Sequence, residues 1–131
     1  MITLRFSAAL LLAALLLAAA SPALSQDLSG EWVCQETGAY LLIAPLPPGF
    51  NNDYVVNFAT DMARATGICL GEGLALLHQD TGQLEVVLDS NVTLSIQVET
   101  ANEHLVLRID QDPGPYCGMG ATVIGIFKRA P

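Results

Sequence analysis

A chain of 131 residues that is 52% hydrophobic and 14% charged, with a formal net charge of −8, is one small domain at most. An apolar half with so few charges has to bury surface somewhere, which excludes a disordered chain. Five Lys plus Arg against thirteen Asp plus Glu leave nucleic-acid binding without an electrostatic basis.

The first segment reads as an export signal. Residues 1–5 form a short leader with one positive charge, Arg5, and residues 6–20 are an almost unbroken Ala/Leu run. Ser21-Pro22 breaks that helix, and Ala23 and Ser25 place small residues at the −3 and −1 positions. Residues 1–25 are therefore expected to be a secretory signal peptide cut before Gln26. A retained membrane helix needs about 20 apolar residues and firmer flanking charge. A bacterial lipoprotein needs a cysteine at the first mature position, and the nearest here is Cys34. Residues 26–131 are then the single mature domain. It has 106 residues, and four Lys plus Arg against thirteen acids give it a net charge of −9. It is expected in the periplasm or outside the cell as a soluble monomer, with no membrane association after cleavage. A domain of this length buries roughly two-thirds of its unfolded surface, enough for a core that a disulfide would reinforce.

From Gln26 onward the pattern has period two. Residues 31–36 and 40–46 form the first two runs, and Tyr54, Val56 and Phe58 mark a third with Asn57 between them. The segment 61–66 has helical composition in Met62, Ala63 and Ala65; it reads as a single turn or, better, as a long connection. Residues 74–78 form a fourth run. Leu84, Val86 and Leu88 then alternate with Glu85, Val87 and Asp89. The clearest stretch is Val92-Thr93-Leu94-Ser95-Ile96-Gln97-Val98-Glu99, whose strict alternation suits a strand with one wet face. Leu105, Leu107 and Ile109 repeat it, and residues 122–128 complete a set of eight. Thr37-Gly38, Pro47-Pro48-Gly49, Asp80-Thr81-Gly82, Asp89-Ser90-Asn91 and Asp112-Pro113-Gly114-Pro115 supply turn chemistry between them. Eight short strands at this spacing predict an all-β protein, a small antiparallel up-and-down barrel or barrel-like meander, with a sandwich as the alternative. Closure removes exposed edges, and strands this short leave an interior that side chains nearly fill.

Three cysteines, Cys34, Cys69 and Cys117, imply one disulfide and one leftover thiol in an exported protein. In an up-and-down meander all three fall at one end, so topology excludes no pair. Barrel closure sets the end of the first strand beside the start of the eighth, which favours Cys34–Cys117 over the alternative Cys69–Cys117. The remaining thiol is expected to be buried and inert rather than reactive. A metal site would want tighter spacing such as C-x-x-C, which is absent.

Leu28-Ser29-Gly30-Glu31-Trp32-Val33-Cys34 reads L-x-G-x-W at the start of the first strand. The G-x-W element resembles the opening of lipocalin-like barrels, where the Trp closes one end of the core. With a signal peptide, a mature length near 100, one disulfide and eight strands, the chain is similar to small bacterial envelope inhibitors. One type is the periplasmic barrel inhibitor of secreted metalloproteases; another is the cysteine-bearing inhibitor of c-type lysozyme. The resemblance implies a core role for Trp32 and carries over no inhibitory residue. The metalloprotease inhibitors insert an N-terminal arm into the enzyme cleft, whereas only Gln26, Asp27, Leu28 and Ser29 precede Gly30 here.

The motifs of hydrolases, zinc peptidases and nucleotide binders are absent, and Gly71-Glu72-Gly73 reads as the start of a strand. His78 and His104 are expected at the end opposite the cysteines, on strands that are not neighbours, so neither a Cys/His pair nor a metal site forms. Asp110-Gln111-Asp112 lacks the rest of a calcium loop and reads as a solvated turn. The chain is read as a non-enzyme without cofactor or metal. What remains is recognition by loops. Residues 45–53 are long for a hairpin connection and stiffened by Pro47 and Pro48, with Phe50 either exposed as an anchor or folded back on the barrel mouth. Tyr116 offers a second aromatic at the other end. The expected function is inhibition of a secreted hydrolase, a protease or a lysozyme, through a rigid loop, with a protein partner that is basic. The alternative is a structural or assembly module of the cell envelope. A carrier of small lipophilic ligands is disfavoured by the cramped interior.

Overall fold

A computed structural model describes residues 27–60, 67–118 and 120–131. The expected signal peptide and the turn or connection at 61–66 lie outside the described residues. The strands are β1 (Gly30–Val33), β2 (Tyr40–Pro45), β3 (Tyr54–Ala59), β4 (Leu70–His78), β5 (Gln83–Val87), β6 (Thr93–Ala101), β7 (His104–Ile109) and β8 (Gly125–Arg129). Each pairs antiparallel with the next, and β8 returns to β1 through Trp32↔Arg129 and Val33↔Lys128. The result is the closed up-and-down barrel of the expectation, with no helix longer than the 3-10 turn Gly114–Tyr116 among the described residues.

The alternation places one side-chain set inside. Leu94 and Ile96 of β6 meet Leu84 and Val86 of β5 in register, and Leu107 meets Phe127. All six are buried and belong to one continuous core. Trp32, Phe58 and Phe127 are its largest members, so bulky rings occupy the lumen. Burying such side chains is the main force holding the barrel.

Two strands depart from their expected bounds for a visible reason. β4 begins at Leu70 rather than residue 74 because its first inward positions, Gly71 and Gly73, have no side chain to mark the alternation. Space demands it: a Cβ at Gly71 would stand 2.4 Å from the Phe58 ring, and one at Gly73 would stand 2.3 Å from the Val87 carbonyl oxygen. β8 begins at Gly125 rather than 122, because the Asp112 carboxylate accepts the Thr122 hydroxyl at 2.9 Å and the Val123 N–H at 2.8 Å. Those residues belong to the β7–β8 connection, although Val123 is buried in the core.

The same displacement corrects the favoured disulfide. The bridge is Cys69–Cys117, and Cys34 is free and buried. The end of β1 does lie beside the start of β8: a Cβ at Gly125 would sit 2.6 Å from Cys34 Sγ. Cys117, however, precedes that start by eight residues and lies on the β7–β8 connection. There it pairs with Cys69 in an isolated β-bridge, and the neighbouring Gly118 N–H donates to the Ile68 carbonyl at 3.1 Å. The buried setting of Cys34 matches an inert thiol.

Trp32 stands in the core, fully buried, as the resemblance implies. Its indole N–H donates to the Leu28 carbonyl at 2.9 Å, and the Arg129 guanidinium lies 4.4 Å from its ring centroid. Arg129 also donates to the carbonyls of Ser29 and Asp27, which draws residues 27–29 across this end of the barrel and buries Leu28. Residues 27–29, ahead of Gly30, are thus engaged in the floor of the barrel.

Candidate functional site

The closed barrel sends its connections to two ends. One end carries the N-terminal residues and the β2–β3, β4–β5 and β6–β7 links; the other carries the cysteines and the β1–β2, β3–β4, β5–β6 and β7–β8 links.

Pro47, Pro48 and Phe50 lie together on the β2–β3 connection at the first end. The two prolines fix φ and Gly49, at φ 104°, makes the bend that follows. The base of the loop is stitched shut. The Leu46 N–H donates to the Asp53 carbonyl at 3.0 Å, and the Asp53 N–H donates to the Ala75 carbonyl at 2.8 Å. The Asp53 carboxylate accepts the Leu77 N–H at 2.8 Å, which ties the loop to β4 as well. On this footing Phe50 is 61% exposed, and Pro47 and Pro48 are exposed beside it. Of the two placements open from the sequence, the structure has the aromatic outside.

Tyr116 is not brought to that loop. It sits at the cysteine end, half-buried, with its ring edge-on to Phe58 at 6.5 Å between centroids. Its hydroxyl donates to the Asp89 carboxylate at 2.7 Å. Asp89 also accepts the backbone N–H groups of Asn91 at 2.8 Å and Val92 at 3.1 Å. The Asn91 N–H first, then the Tyr116 hydroxyl, hold the Asp89 carboxyl below its usual range. The bond to Asp89 pushes the Tyr116 phenol up. A lowered Asp and a raised Tyr set the sign at each limit. Their bond stabilises the fold between the ordinary ranges of the two groups, about 4 to 10. That stability is lost as pH falls through the lowered Asp89 value or rises through the raised Tyr116 value. Asp89→Asn keeps an acceptor and removes the charge. An ultraviolet titration of the three tyrosines should then show one ionisation moving to lower pH; three unchanged ionisations would contradict the contact.

The histidines occupy the first end, away from the cysteines. His78 Nε2 lies 3.0 Å from Glu85 Oε2, and His104 is exposed at the start of β7. Among the described residues, Cys69, Asp112 and Cys117 are close enough together to hold a metal, but both cysteine sulfurs are committed to the disulfide. Asp112 serves the fold, holding Thr122 and Val123. The outer face of β5–β7 carries a polar groove of about 520 Å³. Its walls partner each other: Gln83 donates to the Ser95 hydroxyl at 2.9 Å, Gln97 to the Thr81 carbonyl at 2.9 Å, and Arg108 to Glu99 and Asp110.

The chain matches no known protein-family model, no curated protein and no solved structure. The candidate site therefore rests on its own geometry. Sequence reasoning found the loop and its aromatic. It missed Asp53, whose side chain and main chain both fasten the loop to β4, because an Asp ahead of a strand carries no local mark of a contact 24 residues away.

Proposed function

We propose that the mature chain is an exported, non-enzymatic binding protein that inhibits a secreted hydrolase by occluding its active site with the 46–53 loop. One observation carries this reading: Phe50 stands exposed on a proline-stiffened loop whose base is hydrogen-bonded to β4. An aromatic anchor held in place before contact loses little conformational freedom on binding, which is where affinity is gained. The lumen is filled by Trp32, Phe58 and Phe127, which favours recognition at loops and outer surface over a bound small ligand. A net charge of −9 after cleavage would speed encounter with a basic partner, as c-type lysozymes are. A disulfide in a small barrel is compatible with an oxidising compartment outside the cytoplasm.

A second reading, a structural or assembly module of the cell envelope, gains support from the exposed leucines on the outer wall of β4. Affinity capture separates the two. Residues 26–131 serve as bait for envelope extract and host secretions, at low and at physiological salt. The expected result is one stoichiometric hydrolase whose capture weakens with salt. Recovery of envelope assembly proteins in its place would overturn the inhibitor reading.

A further inference from the structure

The outer wall of the barrel differs from strand to strand, and Ile126 on β8 is an exposed apolar residue opposite Arg108. On β6 and β7 the outward positions Thr93, Ser95, Gln97 and Arg108 are polar. On β2 to β5 the register sets Ala44, Val55, Leu74 and Val87 side by side in one outward row. Leu42 extends it along β2 and Leu76 along β4, while Glu72 stands between Leu74 and the exposed Leu70. Leu70 is 66% exposed, Val87 48% and Leu74 43%. Single exposed leucines are ordinary, but a contiguous apolar strip marks a contact surface.

Among the described residues, the charges on strands β2 to β5 are carboxylates, with His78 paired to Glu85. Strands β2 to β5 contain no Lys or Arg, and their acids are Glu72 and Glu85. Glu31 pairs across from Leu42 in the register, and Asp53 stands at the loop end of β3. The cations of the described residues lie on β7 and β8. Arg108 is engaged by Glu99 and Asp110, Arg129 by Trp32 and the N-terminal carbonyls, and Lys128 is exposed on β8 opposite Val33 of β1. A second copy docked about a two-fold axis would set these carboxylates against their own kind, in a chain of net charge −8. The complement of this wall is an apolar patch ringed by cations.

We propose that the outer wall of β2 to β5 is a docking surface for a basic protein, apolar at the centre of its own contact patch and ringed by Lys and Arg. The proposal rests on the reading that this chain binds a protein, and it does not require that the partner be inhibited. The 46–53 loop springs from the same β2 and β3, so loop and wall can meet one partner together.

The test uses nitrogen-15-labelled chain from Gln26 onward, which holds every strand of the barrel. The probe is a synthetic peptide of alternating Leu and Lys, and the control is its Leu/Glu counterpart. Saturable amide shifts confined to β2–β5 are expected with the Leu/Lys peptide and none with the Leu/Glu peptide. Leu74→Glu should weaken binding about tenfold or more, and Leu74→Ser, which adds no charge, by less. Both variants change an exposed side chain and should keep the dispersed spectrum of the fold. Three results would overturn the proposal: no binding of the Leu/Lys peptide, shifts on β6–β7 or spread over all acidic surface, or self-association of the unmixed chain that Leu74→Glu abolishes. A chain that binds the peptide at this wall yet inhibits no hydrolase keeps the docking surface and loses the inhibitor reading.

Discussion

Replacing Cys69 and Cys117 together with serine is expected to lower the unfolding free energy by about 4 kcal/mol, less any strain the bridge imposes, through the entropy returned to the unfolded chain. The bridge spans 48 residues and joins two segments with no hairpin in common: the one leading into β4 and the one that crosses back to β8. Without it, the long β7–β8 connection is held by Asp112, which grips Thr122 and Val123, by the Gly118 N–H to the Ile68 carbonyl and by Tyr116 on Asp89 and Phe58. Small domains have about 5–15 kcal/mol in total, so the reduced protein should be close to unfolded at physiological temperature. Cys34→Ala is the informative partner variant. It removes a buried sulfur beside Gly125 and should cost only about 1 kcal/mol while leaving the disulfide intact. Urea unfolding with a thiol count on each variant checks both statements. A free thiol appearing in native Cys34→Ala, or a double-serine variant as stable as the parent, would contradict the pairing.

Trp32→Ala should cost about 3–5 kcal/mol, the range for emptying a buried aromatic site. The loss is more than volume. The Leu28 carbonyl would lose its indole donor inside the core, and Arg129 would lose the ring face over which its guanidinium lies. Because Arg129 also holds the carbonyls of Asp27 and Ser29, the N-terminal residues should fray together with the floor. Trp32→Phe keeps one ring beneath Arg129 but removes the indole N–H and leaves a smaller void than alanine does, so it should cost less than Trp32→Ala. Denaturant midpoints of the two variants, with hydrogen exchange at Leu28 to follow the fraying, measure the difference. An alanine variant within about 1 kcal/mol of the parent would show that Trp32 does not hold this end closed.

The strands with full-sized inward residues were the legible part of the fold. Leu94 and Ile96, Leu84 and Val86, and Leu107 and Ile109 show the period-two pattern in the bare sequence and form the core as it implies. β4 was half hidden because Gly71 and Gly73 occupy inward positions where neighbouring strands leave no room for a side chain. The disulfide was misjudged through a small error with a large consequence. Residue 122 reads as strand from the sequence, whereas the Asp112 side chain keeps 122 and 123 in the preceding loop, which moves Cys117 away from Cys34 and against Cys69. Such side-chain locks join residues far apart in the chain and leave no periodic trace. The same holds for the candidate site. Pro47, Pro48 and Phe50 announce a stiff loop, but its fastening through Asp53 to Ala75 and Leu77 depends on the β3–β4 register. Tyr116 looked equivalent to Phe50 in sequence; its bond to Asp89 and its packing on Phe58 give it a place in the wall of the opposite end.

The role of the loop as an inhibitory element is tested most directly by titrating the captured hydrolase with residues 26–131 and with the Phe50→Ala variant. The parent should abolish activity at one equivalent. The variant should fold with an unchanged midpoint, because Phe50 is 61% exposed, and should need about tenfold or more protein for the same effect, the usual cost of losing a central aromatic anchor. Equal inhibition by parent and variant, or a captured partner that stays fully active when saturated, would contradict occlusion by the 46–53 loop.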